Sequence, residues 1–250
     1  IPDMSVSEGT SDADNKEVRR WGTPPEFSFP AKSHVALMEA FDMADFSRGA
    51  NVSGFRGYFL KGDGAVLSFA IWRFVMDELV AKGFTPMLAP SLVRREAFLG
   101  TGYLPQGEED LYKTQDGDFL SGTAEVPTMA YHMDEVIPTE ALPKKFVSFS
   151  PCFRREAGSH GKDTKGLMRV HEFFKLEQVI LCEANHETSV AYHEEITANA
   201  EELMQKLEIP YRVVANCGGD LGLGQVKKYD IEAWVPSENT YRETHSSSYF

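Results

Sequence analysis

Apolar residues recur at helical spacing in two places along the chain. Leu67, Ile71, Phe74 and Val75, continued by Leu79, share one helix face, and Gly83 stands where a C-cap glycine belongs. Ile196, Ala200, Leu203 and Leu207 form a second stripe, predicting a helix from near His186 that ends before Pro210. Strand patterns lie around them. Phe55 to Leu60 is aromatic-rich and is closed by the turn sequence Lys61-Gly62-Asp63-Gly64, and Phe84 to Leu88 runs into Pro90. Further strands are expected at 118–121, 146–154, 174–182, 211–216 and 229–235. In the last of these, Asp230, Glu232 and Trp234 alternate with Tyr229, Ile231 and Ala233. Residues 1–30 carry Ser, Asp, Gly and Pro around Trp21 without a sustained period, and read as an extended lead-in to one domain over 31–250. Many strands with few, widely spaced helices predict an α+β fold around an antiparallel or mixed sheet flanked by helices.

Composition narrows the class. The 250 residues are 42% hydrophobic and 25% charged with a formal charge of −13, which suits a folded globular chain and excludes a histone-like positive blanket. Apolar runs such as Val35 to Met38 are a few residues long against the ~20 that a spanning helix needs, so no membrane role is expected. Three cysteines, Cys152, Cys182 and Cys217, have neither disulfide-scaffold nor zinc-knuckle spacing, and a reducing cytoplasmic setting fits them.

Against that acidic background, Cys152 to Lys175 holds six Lys and Arg (Arg154, Arg155, Lys162, Lys165, Arg169, Lys175) and three acids. Its Gly-rich centre, Ala157 to Gly166, separates two strands and suits a mobile hairpin over a phosphate-bearing ligand. Alternation puts Arg154 with Glu156 on one strand, and Phe173, Lys175 and Glu177 together on the other. An arginine fork neutralises phosphate or carboxylate, an aromatic face stacks a base, and a carboxylate holds an ammonium group. The residues alone leave a solvated charged hairpin open. An extended Thr123-Ala124-Glu125 would aim a hydroxyl and a carboxylate at one small zwitterion, whereas a helix N-cap at Thr123 is the alternative. The segment Tyr241 to Ser248 offers Glu243 and Ser246 as ligands for a hard cation such as Mg²⁺. In a regular strand these two point to opposite faces, so a joint site needs a bulge or a turn.

Taken together these segments resemble the seryl-tRNA synthetases of bacterial type, class II aminoacyl-tRNA synthetases, from Asn15 to Phe250. The resemblance rests on EVRRWGTPPEF (17–27), the helix and strand ending at Pro90 (motif 1), GTGYLPQGEEDLY (100–112), the TAE loop (123–125), FRREAGSHGKDTKGLMRVHEFFKLE (153–177, motif 2) and GDLGLGQVKKYDIEAW (219–234). It implies the class II fold, with ATP, L-serine and tRNA(Ser) as substrates and Mg²⁺ as cofactor. Zinc is not expected. By resemblance Arg154 grips the α-phosphate and the substrate carboxylate, Arg155 belongs to the ATP site, Glu156 contacts adenine and Phe173 stacks it. Thr123, Ala124 and Glu125 form the serine pocket with Glu177. Glu243, Thr244, His245 and Ser246 form the ATP- and Mg²⁺-binding element, with Glu243 and Ser246 as the metal ligands.

The resemblance also implies a cytoplasmic homodimer formed through motif 1. Arg155 stands where the family often has Ser, Thr244-His245 where it has Val/Ile-Ser, and Tyr249 where Asn is common. The family's tRNA-binding helical hairpin would precede Ile1 and motif 3 would follow Phe250. The chain is thus expected to be cut at both ends, incomplete on the motif 3 side and weakly active alone. Two alternatives remain: a ligase that loads an amino acid onto a carrier protein, and a non-catalytic paralogue acting as a binding module.

Overall fold

The computed structural model describes residues 1–159, 161 and 163–250; His160 and Lys162, the latter one of the basic residues counted above, lie outside the described residues. The chain divides into two compact units, Ser33–Leu181 and a second made of Ile1–Lys32 with Cys182–Phe250.

The unit 33–181 is built on a long hairpin. Strands Lys144–Phe153 and Glu172–Leu181 pair antiparallel in unbroken register, from Lys144 opposite Leu181 to Phe153 opposite Glu172, and Thr85–Leu88 joins parallel to the first of them. The sheet is therefore mixed. The helix Asp63–Ala81 packs on one of its faces, where Trp72 meets Phe149 at 5.9 Å between centroids and Phe149 stacks on Phe174 at 5.7 Å. Gly83, at φ +87°, ends this helix as its spacing predicted. Of the expected stripe only Leu79 is fully buried; Leu67 is half exposed and Val66 and Phe69 more so.

The run Phe55–Leu60 is a strand only at Phe59–Leu60, paired with Ala44–Asp45. The reason is a backbone crossing. A Cβ on Gly49 would come 2.3 Å from Tyr58 Cα and one on Gly57 would come 2.5 Å from Gly49 O, so the chain turns here, with Arg56 at φ +65°. A second core gathers Val93, Phe98, Leu104, Leu111, Phe119 and Val126 around a small sheet of Leu92–Val93, Phe119–Leu120 and Tyr112–Lys113. Val126 belongs to the short helix Glu125–Met129, so this core anchors the TAE loop that precedes it.

The other unit is a four-stranded antiparallel sheet in the order Lys16–Trp21, Tyr211–Ala215, Lys227–Val235, Thr240–Tyr249. Its first strand lies in the segment read as a lead-in, and its last in the segment read for cation ligands. The helix His186–Lys206 covers one face, burying Ala200 and Met204 against Tyr211, Val213, Tyr229, Ile231 and Ala233. The alternation read from 229–235 is thus the core pattern of this sheet. Among the described residues no helix is long and apolar enough to cross a membrane.

Candidate active site

On the hairpin face away from Trp72, the register sets Ser148, Ser150 and Cys152 opposite Glu177, Lys175 and Phe173. The three small residues are fully buried and form a floor; burial pushes the Cys152 thiol up, so it stays protonated. Phe173, Lys175 and Glu177 stand in a row beside it, as alternation predicted.

The loop before Glu125–Met129 meets this row. Thr123, 1% exposed, donates its hydroxyl to Glu177 Oε1 at 2.5 Å and accepts the Glu125 backbone N–H at 3.2 Å. The N-cap of Glu125–Met129 is Ala124, in helical rather than extended conformation and without a side-chain cap, so Thr123 is not the helix cap its sequence allowed; its hydroxyl reaches the hairpin instead. Ala124 is fully buried; its carbonyl accepts from the Thr128 hydroxyl at 2.7 Å, and that hydroxyl also lies 2.7 Å from the hydroxyl of Ser148. Tyr103 donates to Glu125 Oε2 at 3.0 Å. Burial, reinforced by the charge of Glu177, raises the Glu125 carboxyl above the usual carboxylate range, and burial raises Tyr103 as well. Lys175 Nζ lies 2.5 Å from Glu177 Oε1 and supplies the nearest positive charge on that row. Neither Tyr103 nor Lys175 was singled out from sequence as a site residue. Tyr103 lies inside the GTGYLPQGEEDLY motif, which was the available signal.

Arg154 sits just past the strand end with its guanidinium over the Phe173 ring, 5.3 Å from the centroid. Its Nε donates to Gly122 O at 3.2 Å, and its backbone N–H donates to His171 O at 2.9 Å. The strand stops at Phe153, so the expected alternation of Arg154 with Glu156 does not continue. Glu156 adopts φ +54° and its carboxylate takes Arg169 at 2.5 Å. Arg155 turns the other way, donating from Nη1 to Glu109 O at 3.1 Å. Cavities of about 390 and 450 Å³ open at this loop, each lined by Glu156, Ala157 and Ser159; neither includes Thr123, Glu125 or Glu177.

In the other unit, the pairing of Lys227–Val235 with Thr240–Tyr249 slips by one residue. Glu232 faces Glu243 while Ile231 faces His245, so Thr244 is the extra residue of a β-bulge and its hydroxyl donates to Ile231 O at 3.1 Å. The bulge is the device the spacing required. Glu243 follows Glu232, and Ser246 follows Asp230, onto one face, the one turned away from the helix; His245 goes with Ile231 to the opposite face. This face carries oxygen donors of the hard kind that Mg²⁺ takes. Among the described residues no group of three or more His, Cys, Asp or Glu is placed to hold a metal ion.

Residues 112–249 match the family model of the tRNA synthetase class II core domain (G, H, P, S and T). All of the chain aligns at 49% identity with the serine–tRNA ligase of Deinococcus radiodurans, of which it spans 59% of the length. Among solved structures, it superposes on the seryl-tRNA synthetase of Pyrococcus horikoshii complexed with ATP at a TM-score of 0.95 and 42% identity, over 99% of this chain and 60% of that one. The cytoplasmic serine–tRNA ligase of Naegleria fowleri in complex with AMP gives 0.94 and 35%, over 99% of this chain and 60% of that one. With the family model covering more than half of it, the mixed hairpin sheet and TAE loop in one unit and the bulged antiparallel sheet in the other make this chain a member of the class II tRNA synthetase core family.

Proposed function

We propose that the chain is the catalytic part of a serine–tRNA ligase, activating L-serine with ATP and passing the seryl group to tRNA(Ser). One observation carries the reading: the buried linkage of Thr123 to Glu177, with Glu125 beside it, stands on the same strand row as the aromatic ring of Phe173 under Arg154. Carboxylates for an ammonium group, a buried hydroxyl, an aromatic platform and a guanidinium are the recognition groups of an aminoacyl adenylate.

In this reading adenine stacks on Phe173, and Glu156 and Arg155 contribute at the ATP side. Arg154 neutralises the α-phosphate and the serine carboxylate as they approach. The carboxylate oxygen attacks the α-phosphorus, the bond to the β-phosphate breaks, and pyrophosphate leaves with the bonding electrons; the seryl group then passes to the terminal ribose of the tRNA. Positioning and charge neutralisation carry such a step, without a covalent enzyme intermediate. Glu243 and Ser246, flanked in sequence by Thr244 and His245, would hold Mg²⁺ on ATP, where it would neutralise phosphate charge. Hydrogen bonds to the serine hydroxyl reject alanine, which leaves buried polar groups unpaired, and pocket size rejects threonine.

A homodimer in the cytoplasm completes the reading. The uncovered apolar residues Val66, Leu67 and Phe69 of Asp63–Ala81 support the first, and the free state of all three cysteines the second.

The test is exchange of labelled pyrophosphate into ATP by the natural protein that contains this chain, with serine, alanine, threonine and glycine offered separately. Exchange with serine alone is the expected result. Equal exchange with alanine, or none with serine from a folded protein, overturns the assignment and leaves the carrier-protein ligase or a binding module.

A further inference from the structure

Lys175 belongs to none of the roles assigned above, yet it occupies the middle of the row. Alternate residues of a strand are about 7 Å apart, so Phe173, Lys175 and Glu177 mark three successive stations on one face. An aminoacyl adenylate is laid out in a fixed covalent order of base, sugar, phosphate, acyl carbon and amine. With the base on Phe173 and the amine at Glu177, the phosphoryl–acyl junction falls over Lys175. The ammonium group already turns toward the amine end, 2.5 Å from Glu177 Oε1, and about a third of the side chain is exposed. Beside it Ser150, its partner across the hairpin, is fully buried and too short to compete for that space.

We infer that Lys175 is a catalytic residue of the adenylation step, its ammonium group contacting the oxygens of the carboxylate and α-phosphoryl group as they join. The inference rests on the serine–tRNA ligase reading and deepens it. Two anions must be brought together here, and their repulsion opposes the approach. Arg154 enters from the Phe173 end, and Lys175 meets the same oxygens from the floor side. No proton moves: the carboxylate–phosphorus bond forms, the bond to the β-phosphate breaks, and pyrophosphate carries the electron pair away. A lysine suits the position because its three donors are a compact point charge, able to keep one contact on Glu177 while turning another to substrate.

The rival is a purely local role, in which Lys175 only holds Glu177 in place. The two differ in which kinetic constant moves. Lys175→Met and Lys175→Arg would be compared with the natural protein in serine-dependent pyrophosphate exchange, with thermal unfolding as the control for folding. Contact with the reacting oxygens predicts that Lys175→Met lowers kcat about 100-fold, the loss typical of removing one preorganised donor, with KM for serine within about threefold. Lys175→Arg, which keeps the charge, recovers part of that kcat. A kcat within about threefold of the natural protein, or a loss confined to KM for serine, overturns the inference and leaves Lys175 as a prop for Glu177. If Lys175→Met does not fold, Lys175→Gln, which also removes the charge but keeps a polar end, takes its place under the same criteria. Failure of the natural protein itself to exchange with serine would instead overturn the underlying reading, so the two failures are distinguishable.

Discussion

Replacing Thr123 by Val removes one oxygen from a site with no solvent to replace it. The side chain is 1% exposed, and its hydroxyl both donates to the Glu177 carboxylate at 2.5 Å and accepts the Glu125 backbone N–H at 3.2 Å. Valine keeps the shape, so no cavity opens and the cost is polar. A hydrogen bond to a charged group contributes about 1.5–3 kcal/mol, and the orphaned amide N–H adds part of its desolvation cost. If the Glu177 carboxylate must be held in place for the serine ammonium group, the loss appears in activation. At about 1.4 kcal/mol per factor of ten, kcat/KM for serine in pyrophosphate exchange falls roughly 10- to 150-fold. Thermal unfolding should move down by roughly 2–4 °C for each kcal/mol lost from the fold itself. Thr123→Ser retains the hydroxyl and should stay within about threefold of the natural protein in kcat/KM. A Thr123→Val protein with unchanged kcat/KM would refute the claim that this linkage organises the serine pocket.

Two further predictions concern pH. The Glu125 carboxyl is raised by burial and by Glu177, so the folded state binds its proton more tightly than the unfolded chain; stability falls as pH rises from the ordinary carboxylate value through the raised one, and the full penalty persists above it. Glu125→Gln should therefore melt higher than the natural protein at pH 8, with a smaller difference at pH 4.5, while losing serine-dependent exchange; lower melting at pH 8 would contradict the burial argument. In the other unit His193, 2% exposed and donating from Nε2 to Ser247 O at 3.0 Å, is lowered by burial. Its stabilising effect is complete above the ordinary histidine value and is lost as pH falls from there toward the lowered one. The urea midpoint of His193→Gln should thus vary less between pH 7.5 and 5 than that of the natural protein, and equal variation would remove His193 from the account.

What could be read from the chain followed the length of the periodic signal. The stripe ending at Leu79 and the one through Ala200 and Leu203 are several turns long, and the alternation over 229–235 and along Phe173, Lys175 and Glu177 is regular, so these elements and their faces were legible. Lys16–Trp21 was not, because Lys, Glu and Arg occupy both of its faces and only pairing with Tyr211–Ala215 makes it a strand. Thr240–Tyr249 was obscured by the bulge at Thr244, which breaks the two-residue period at the residues that mattered most. Glu156 fooled the alternation argument because the strand stops three residues before it and its own backbone turns left-handed. Tyr103 reaches Glu125 across 22 positions, a pairing that no local spacing announces.

The pairing of Lys16–Trp21 with Tyr211–Ala215 bears on the order in which the polypeptide can acquire structure. The unit 33–181 is a continuous stretch, and the strand pairings of its sheets and the core around Phe98 and Phe119 lie within it, so it can form once it has left the ribosome. The other unit has to wait. Its edge strand is made first, but the strand beside it is made nearly two hundred residues later, and Arg19 finds Glu201 only then. Closing a contact over such a distance in a flexible chain is slow and entropically costly, yet a folded insert shortens the effective loop to the distance between its two ends. Synthesis from the N-terminus thus leaves Lys16–Trp21 without its partner until Tyr211–Ala215 has been made, with the inserted unit already able to fold in between.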